Sequence, residues 1–183
     1  MNGGRYGRMT IGLFNSYDTT RFREAHRRVL ARAGPLALAF DANLALFGFP
    51  LPQELPTAAG IADWVASTTT IGENGSYLQR LASKGRLQSF PLPGKGFPPQ
   101  LGEPVTTTSK PRASCRISGR QVAEILSEGR SILLVFGLGP HGLPKKVAEI
   151  ARYDLDVTGV GFSLETCTAL GAVVAAINAH LSQ

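Results

Sequence analysis

The chain has 183 residues, 43% apolar and 17% charged, which suits one globular domain (1–183) with a sizeable core. Two cysteines, Cys115 and Cys167, are too few for a disulfide framework, and with three histidines they show no metal-ligand spacing. The net charge of +6 is uneven, because residues 1–34 hold seven arginines against Asp18 and Glu24, a net of +5.

A local basic face fits a polyanionic partner such as nucleic acid; the alternative is a solvated, arginine-decorated helix face. No apolar run reaches the ~18–20 residues of a membrane span, so no membrane role is expected. No apolar segment follows the N-terminal arginines as in a secretory signal. A reduced, cytoplasmic setting is expected, with both cysteines as buried thiols.

Residues 9–14 read as a first strand, turning at Asn15, Ser16, Tyr17 and Asp18. Asp18 or Thr19 can cap a helix through Ala33, with Phe22, Ala25, Val29 and Leu30 on one face. Gly34-Pro35 is expected to stop it, and residues 36–40 read as a second buried strand. Strand, helix, strand at this length is a βαβ unit that opens a parallel sheet.

Residues 44–50 fit either a short strand or a core-packed loop. Thr57 caps a helix carrying Ile61, Trp64 and Val65. Residues 68–75 read as a loop, 76–84 as a short helix ended by Gly85, and 87–92 as a strand. The stretch 91–104 is too rich in proline for a helix or a central strand. Val105 opens a β-branched strand that ends in a hydroxyl-rich turn, and Ser118 caps a helix over 119–128.

Residues 131–136 form a continuous apolar run bounded by glycines, as a strand buried on both faces would read. A glycine- and proline-rich turn (137–144) and a short amphipathic helix (145–152) follow. A strand (153–158), a second glycine loop (159–162) and an alanine-rich helix starting at Ser163 end the chain. The alternation makes the class α/β, with a mostly parallel sheet and helices on both faces.

Gly137, Gly139 and Gly142 match the dinucleotide fingerprint, with Asp156 near the expected offset. Context argues against that match. Such a fingerprint normally opens its fold, whereas one strand and one helix remain here, and Pro140 and Pro144 remove amides a phosphate cradle would use.

The order strand, glycine loop, short helix, strand, glycine loop, long helix resembles the end of the SPOUT superfamily of RNA methyltransferases. The residues that carry the resemblance are Phe136-Gly137, Gly142-Leu143-Pro144 and Ser163-Leu164-Glu165. The likeness is greatest to an uncharacterised archaeal group. It implies a C-terminal trefoil knot, a homodimer, and use of S-adenosyl-L-methionine on tRNA or rRNA. The cofactor would be held by Thr107, Thr108 and Ser109, by Gly137, Leu138, Gly139, His141, Gly142 and Leu143, and by Val157, Gly159, Gly161, Ser163, Leu164 and Thr168. Glycine is expected where a Cβ would intrude on a ligand.

The resemblance also implies catalytic roles for Arg28, Glu165 and Ser163, with RNA reached through the arginine-rich first helix. Arg21, Arg23 and Arg27 stay open as rivals to Arg28. Glu165 stands where many relatives carry Asn, and it equally suits a helix N-terminus. His26 and His141 could titrate near neutrality or serve structurally. A non-catalytic RNA-binding protein on the same scaffold is the alternative function.

Overall fold

The computed structural model describes residues 6–55, 57–67 and 74–181. Seven strands form one sheet: β1 (Met9–Phe14), β2 (Asn43–Phe47), β3 (Leu87–Phe90), β4 (Glu103–Thr107), β5 (Arg116–Ile117), β6 (Ile132–Gly137) and β7 (Tyr153–Leu155). Their order is β3-β2-β1-β6-β4-β7-β5, and every ladder is parallel. Parallel strands need crossovers, supplied by α1 (Glu24–Ala39), α2 (Ala58–Ala66), α3 (Asn74–Ser83), α4 (Gly119–Ser127) and α5 (Lys145–Ile150). The long α6 (Thr166–Leu181) follows β7.

The central strands carry apolar residues on both faces. Ile11, Leu13, Leu44, Leu46, Val105, Leu134 and Phe136 pack with residues of α1, α2, α3, α4 and α6. Phe14, Ala45, Phe47, Leu133 and Val135 point the other way, onto Leu101, Val147 of α5, and Phe90, Phe97 and Leu143. One face thus carries five helices, and the other is covered by α5 and the crossing from β3 to β4.

The structure corrects the expected helix stop at Gly34-Pro35. Helix α1 runs through both residues to Ala39, so residues 36–40 are its last turn and not a strand. Pro35 gives up one intrahelical hydrogen bond, yet Ala33 and Ala37 are fully buried and hold the helix in place. Gly34 serves packing: a Cβ there would meet Leu78 of α3 at 3.3 Å. The second strand falls instead at Asn43–Phe47, which resolves the choice left open there in favour of a strand.

The helix also starts later than Asp18 or Thr19, at Glu24. Asp18 builds a turn instead, its carboxylate accepting from Thr20 N–H (2.9 Å), Arg21 N–H (3.0 Å) and Arg23 Nε (2.9 Å). Strand β4 begins at Glu103, two residues before the β-branched run, and the two-residue β5 had no periodic signal. The expected loop over 68–75 lies mostly outside the described residues; 74 and 75 belong to α3.

Candidate active site

In an open parallel sheet, ligands sit beyond the carboxyl ends of the strands. A cavity of about 1420 Å³ lies there, bounded by the loops after β1, β4, β6 and β7 and by the start of α6.

The loop after β4 brings Thr107, Thr108 and Ser109 to the cavity. Thr107 Oγ1 donates to the Val135 carbonyl (3.0 Å) and Thr108 N–H to the Leu155 carbonyl (3.0 Å), which ties this loop to both neighbouring strands.

The loop after β6 contributes Gly137, Leu138, Gly139, His141, Gly142 and Leu143. It folds back on itself, with Gly142 N–H bonded to the Gly139 carbonyl at 2.9 Å. It also leans on the β1 loop: Gly139 N–H donates to Ser16 Oγ at 2.9 Å, and a Cβ on Gly139 would lie 2.4 Å from the Ser16 carbonyl oxygen. The approach of protein backbone by itself therefore requires glycine at 139. Thr166 Oγ1 donates to the Gly137 carbonyl (2.9 Å) and locks α6 to the same loop.

The loop after β7 is organised by Asp156. Its Oδ1 accepts from Thr158 N–H (3.0 Å) and Thr158 Oγ1 (2.7 Å), and its Oδ2 from Gly161 N–H (2.8 Å). Burial opposes ionisation of this carboxyl, but those hydrogen bonds outweigh it and hold it below its ordinary value. Gly159 and Gly161 both have positive φ (69° and 75°), the conformation that carries the chain around the carboxylate. Val157, Ser163 and Leu164 line the cavity from this side; Gly159, Gly161 and Thr168 do not.

Glu165 lines the cavity and caps α6. Its Oε2 accepts from Cys167 N–H (2.9 Å) and Thr168 N–H (3.2 Å). Ser163 is therefore not the helix start, which falls three residues further on, at Thr166, because the acid at 165 reaches the free amides. Burial, and then the charge of Glu165, push the Cys167 thiol up to about 11, so it stays protonated and unreactive near neutrality.

The four rival arginines separate. Arg28 and Arg23 line the cavity; Arg21 and Arg27 do not. Arg23 pairs with Asp18 at 2.9 Å, and Arg27 lies over the Phe22 ring at 5.3 Å. Arg28 is exposed and makes no ion pair or hydrogen bond with another described residue, so its guanidinium is available to a ligand.

The histidines separate as well. His141 lines the cavity, whereas His26 is completely buried. His26 Nδ1 accepts from Arg23 N–H (2.9 Å) and its Nε2 meets Asn15 Oδ1 (3.1 Å), the arrangement of a neutral ring with its proton on Nε2. Burial lowers its pKa. Asn15, also buried, donates to the Asp18 and Gly48 carbonyls. This pair fixes the β1–α1 loop that delivers Tyr17 and Arg23 to the cavity.

Sequence reasoning missed a second buried device. Asp154 on β7 is 1% exposed and accepts from Thr106 Oγ1 (2.6 Å), from Arg112 N–H (2.8 Å) and from Arg112 Nε and a terminal nitrogen (2.8 and 2.9 Å). Burial disfavours its charge, yet the Arg112 and Thr106 hydrogen bonds prevail and depress its pKa. The signal was present: an acid inside a predicted strand must find partners. Among the described residues no group of His, Cys, Asp or Glu is arranged to hold a metal ion, and no helix is long and apolar enough to cross a membrane.

A family model described as "Protein of unknown function (DUF531)" matches residues 9–178. The chain belongs to this family. An uncharacterised protein of Methanocaldococcus jannaschii is 45% identical over 170 residues, 93% of either chain. Among solved structures, the A. aeolicus TrmH/SpoU tRNA modifying enzyme superposes with a TM-score of 0.55 at 14% identity, over 98% of this chain and 78% of that one. The SpoU methyltransferase AviRb of Streptomyces viridochromogenes, solved with its cofactor AdoMet, superposes with a TM-score of 0.52 at 16% identity, over 96% of this chain and 59% of that one. The chain thus has the α/β fold of the SpoU methyltransferases.

Proposed function

We propose that the protein is an S-adenosyl-L-methionine-dependent RNA methyltransferase acting on tRNA or rRNA, with the cavity as its active site. The observation that carries this is the convergence of three tied backbone loops, an apolar floor and an unpaired arginine at one end of a SpoU-type sheet. The floor, from Phe136, Ala169 and Val173, suits the adenine ring, while the loop amides and hydroxyls around it suit the ribose and the amino-acid part. Ligand pockets of about 300–1,000 Å³ are the norm, so the space admits a cofactor and part of a second substrate.

When bound, S-adenosylmethionine supplies an electrophilic methyl group. The chain's own task is alignment and the removal of water. Thr107, Thr108 and Ser109, the 137–143 loop and Val157, Ser163 and Leu164 would hold the cofactor; Gly161 shapes the last loop through its bond to Asp156, and Gly159 and Thr168 lie outside the lining. Arg28 would hold the phosphate or ribose beside the acceptor atom, and Ser163 and Glu165 would stand next to it, Glu165 as proton acceptor.

We further propose a homodimer, one domain spanning 1–183 and a trefoil knot in its last third. The outward face of α6 supports the dimer, since three of its exposed positions, Thr168, Ala175 and Ala179, are small enough for a second helix to approach. RNA would be gripped by the arginine-rich first helix in a cytoplasmic setting. A second reading, a non-catalytic RNA-binding protein, is favoured by one observation: Glu165 is already engaged as a helix cap. Calorimetry with S-adenosylmethionine, followed by mass spectrometry of nucleosides from RNA treated with protein and cofactor, tests both. Methylated nucleosides support the enzyme. RNA binding without cofactor binding supports the second reading.

A further inference from the structure

Burying an apolar side chain is favourable, so an aromatic ring held in water on a rigid loop calls for an explanation. Val160 (83% exposed) and Phe162 (67%) are the most exposed of the large apolar side chains among the described residues. Their loop is not free to fold back. Asp156 holds Thr158 and Gly161, and Thr158 Oγ1 in turn accepts from Val160 N–H (3.3 Å) and Phe162 N–H (3.2 Å).

Phe162 lines the cavity immediately before Ser163 and Glu165. Arg28 and Lys110 line it too, and neither side chain has an acidic partner among the described residues. An exposed ring beside unpaired cations is the combination that binds single-stranded nucleic acid, with the ring against a base and the cations against phosphates.

We propose that Phe162 is the stacking surface for an unpaired base of the RNA substrate, which rests on the methyltransferase reading of the same cavity. In a duplex both faces of a base are covered by its neighbours, so the ring can be used only by a nucleotide in a loop, a bulge or a single strand. The substrate class is therefore RNA whose target nucleotide is unstacked. Phe162 acts by positioning that nucleotide for the cofactor, and the Asp156–Thr158 cage gives the ring its orientation.

The test is a titration of a short single-stranded RNA carrying 2-aminopurine, with S-adenosylhomocysteine present, against the wild type, Phe162→Ala and Phe162→Trp. Stacking quenches 2-aminopurine. Phe162→Ala should lose the quench and roughly 5- to 150-fold in affinity, Phe162→Trp should keep both, and the same oligomer annealed to its complement should show no quench with any of the three. S-adenosylhomocysteine affinity, measured alone by calorimetry, should be equal in all three proteins. If the wild type binds cofactor and RNA but Phe162→Ala quenches and binds as well, the stacking role is overturned while the methyltransferase reading stands. If the wild type binds neither, both fail. If Phe162→Asp converts a dimer to a monomer in light scattering, the ring is a contact between copies and the proposal is overturned.

Discussion

Arg28 and Glu165 carry the least redundant chemistry of the cavity. Arg28 has no partner within the described residues, so its removal should leave the fold intact. Arg28→Ala is expected to lower kcat at least about tenfold with cofactor affinity little changed, as for an interaction made in the transition state. Glu165 is a helix cap, and its proposed duty as proton acceptor separates from that by substitution. Glu165→Gln keeps an oxygen for the Cys167 and Thr168 amides but cannot take a proton, so thermal stability should hold while kcat falls by roughly 10²–10⁴-fold. Unchanged turnover with Glu165→Gln would leave the residue as a cap alone.

Two buried polar groups set the stability of the site rather than its chemistry. Arg112→Ala removes the charge partner of the buried Asp154 carboxylate, leaving it only Thr106 Oγ1 and the amide of residue 112, and should cost about 3 kcal/mol in denaturant unfolding. His26 titrates the other way from a paired histidine. Its folded pKa lies below the ordinary 6.5, so the unfolded chain binds the proton first as pH falls. Stability should be full above pH 6.5 and decline below it, and His26→Gln should flatten that decline in melts recorded between neutrality and pH 5. Asp154 and Asp156, with depressed pKa values, contribute above the ordinary carboxylate value and are lost only in stronger acid.

At the scale of elements, the strands under the cavity were legible because β6 and β1 are buried on both faces and must be apolar throughout. The error at α1 has a definite cause. Gly34-Pro35 is a strong local stop, but contact of Gly34 with α3 and burial of Ala37 outweigh it, and neither is visible in local sequence. Within the 137–143 loop, the packing reason for Gly139 was not legible, because it answers to Ser16, 123 residues away in sequence. Gly139→Val should consequently displace the loop from Ser16 and destabilise the protein as well as weaken cofactor binding, which a melt alongside calorimetry will show. Asp156 was noticed only as a possible ribose ligand; it is the centre of its own loop.

For the whole molecule, charge and cavity lie on the same side of the argument. The N-terminal third supplies Arg23 and Arg28 to the cavity, while Arg21, Arg27 and Arg32 stand on the same loop and helix outside it. If that surface meets RNA phosphates, affinity must fall steeply with salt, and replacing Arg21, Arg27 and Arg32 together by Gln should reduce the slope of log affinity against log salt by up to about three. Salt-independent binding would return those arginines to a solvated face. A knot or a partner subunit cannot be read from periodicity, because each depends on how a chain passes itself or a copy.

Transfer of label from methyl-labelled S-adenosylmethionine to RNA tests the central claim most directly. Wild-type protein with an archaeal small-RNA fraction should place label in a nucleoside, Arg28→Ala should place at least about tenfold less, and added S-adenosylhomocysteine should suppress both. A protein that binds that RNA but leaves it unlabelled, and that shows no heat with S-adenosylmethionine, would contradict the account.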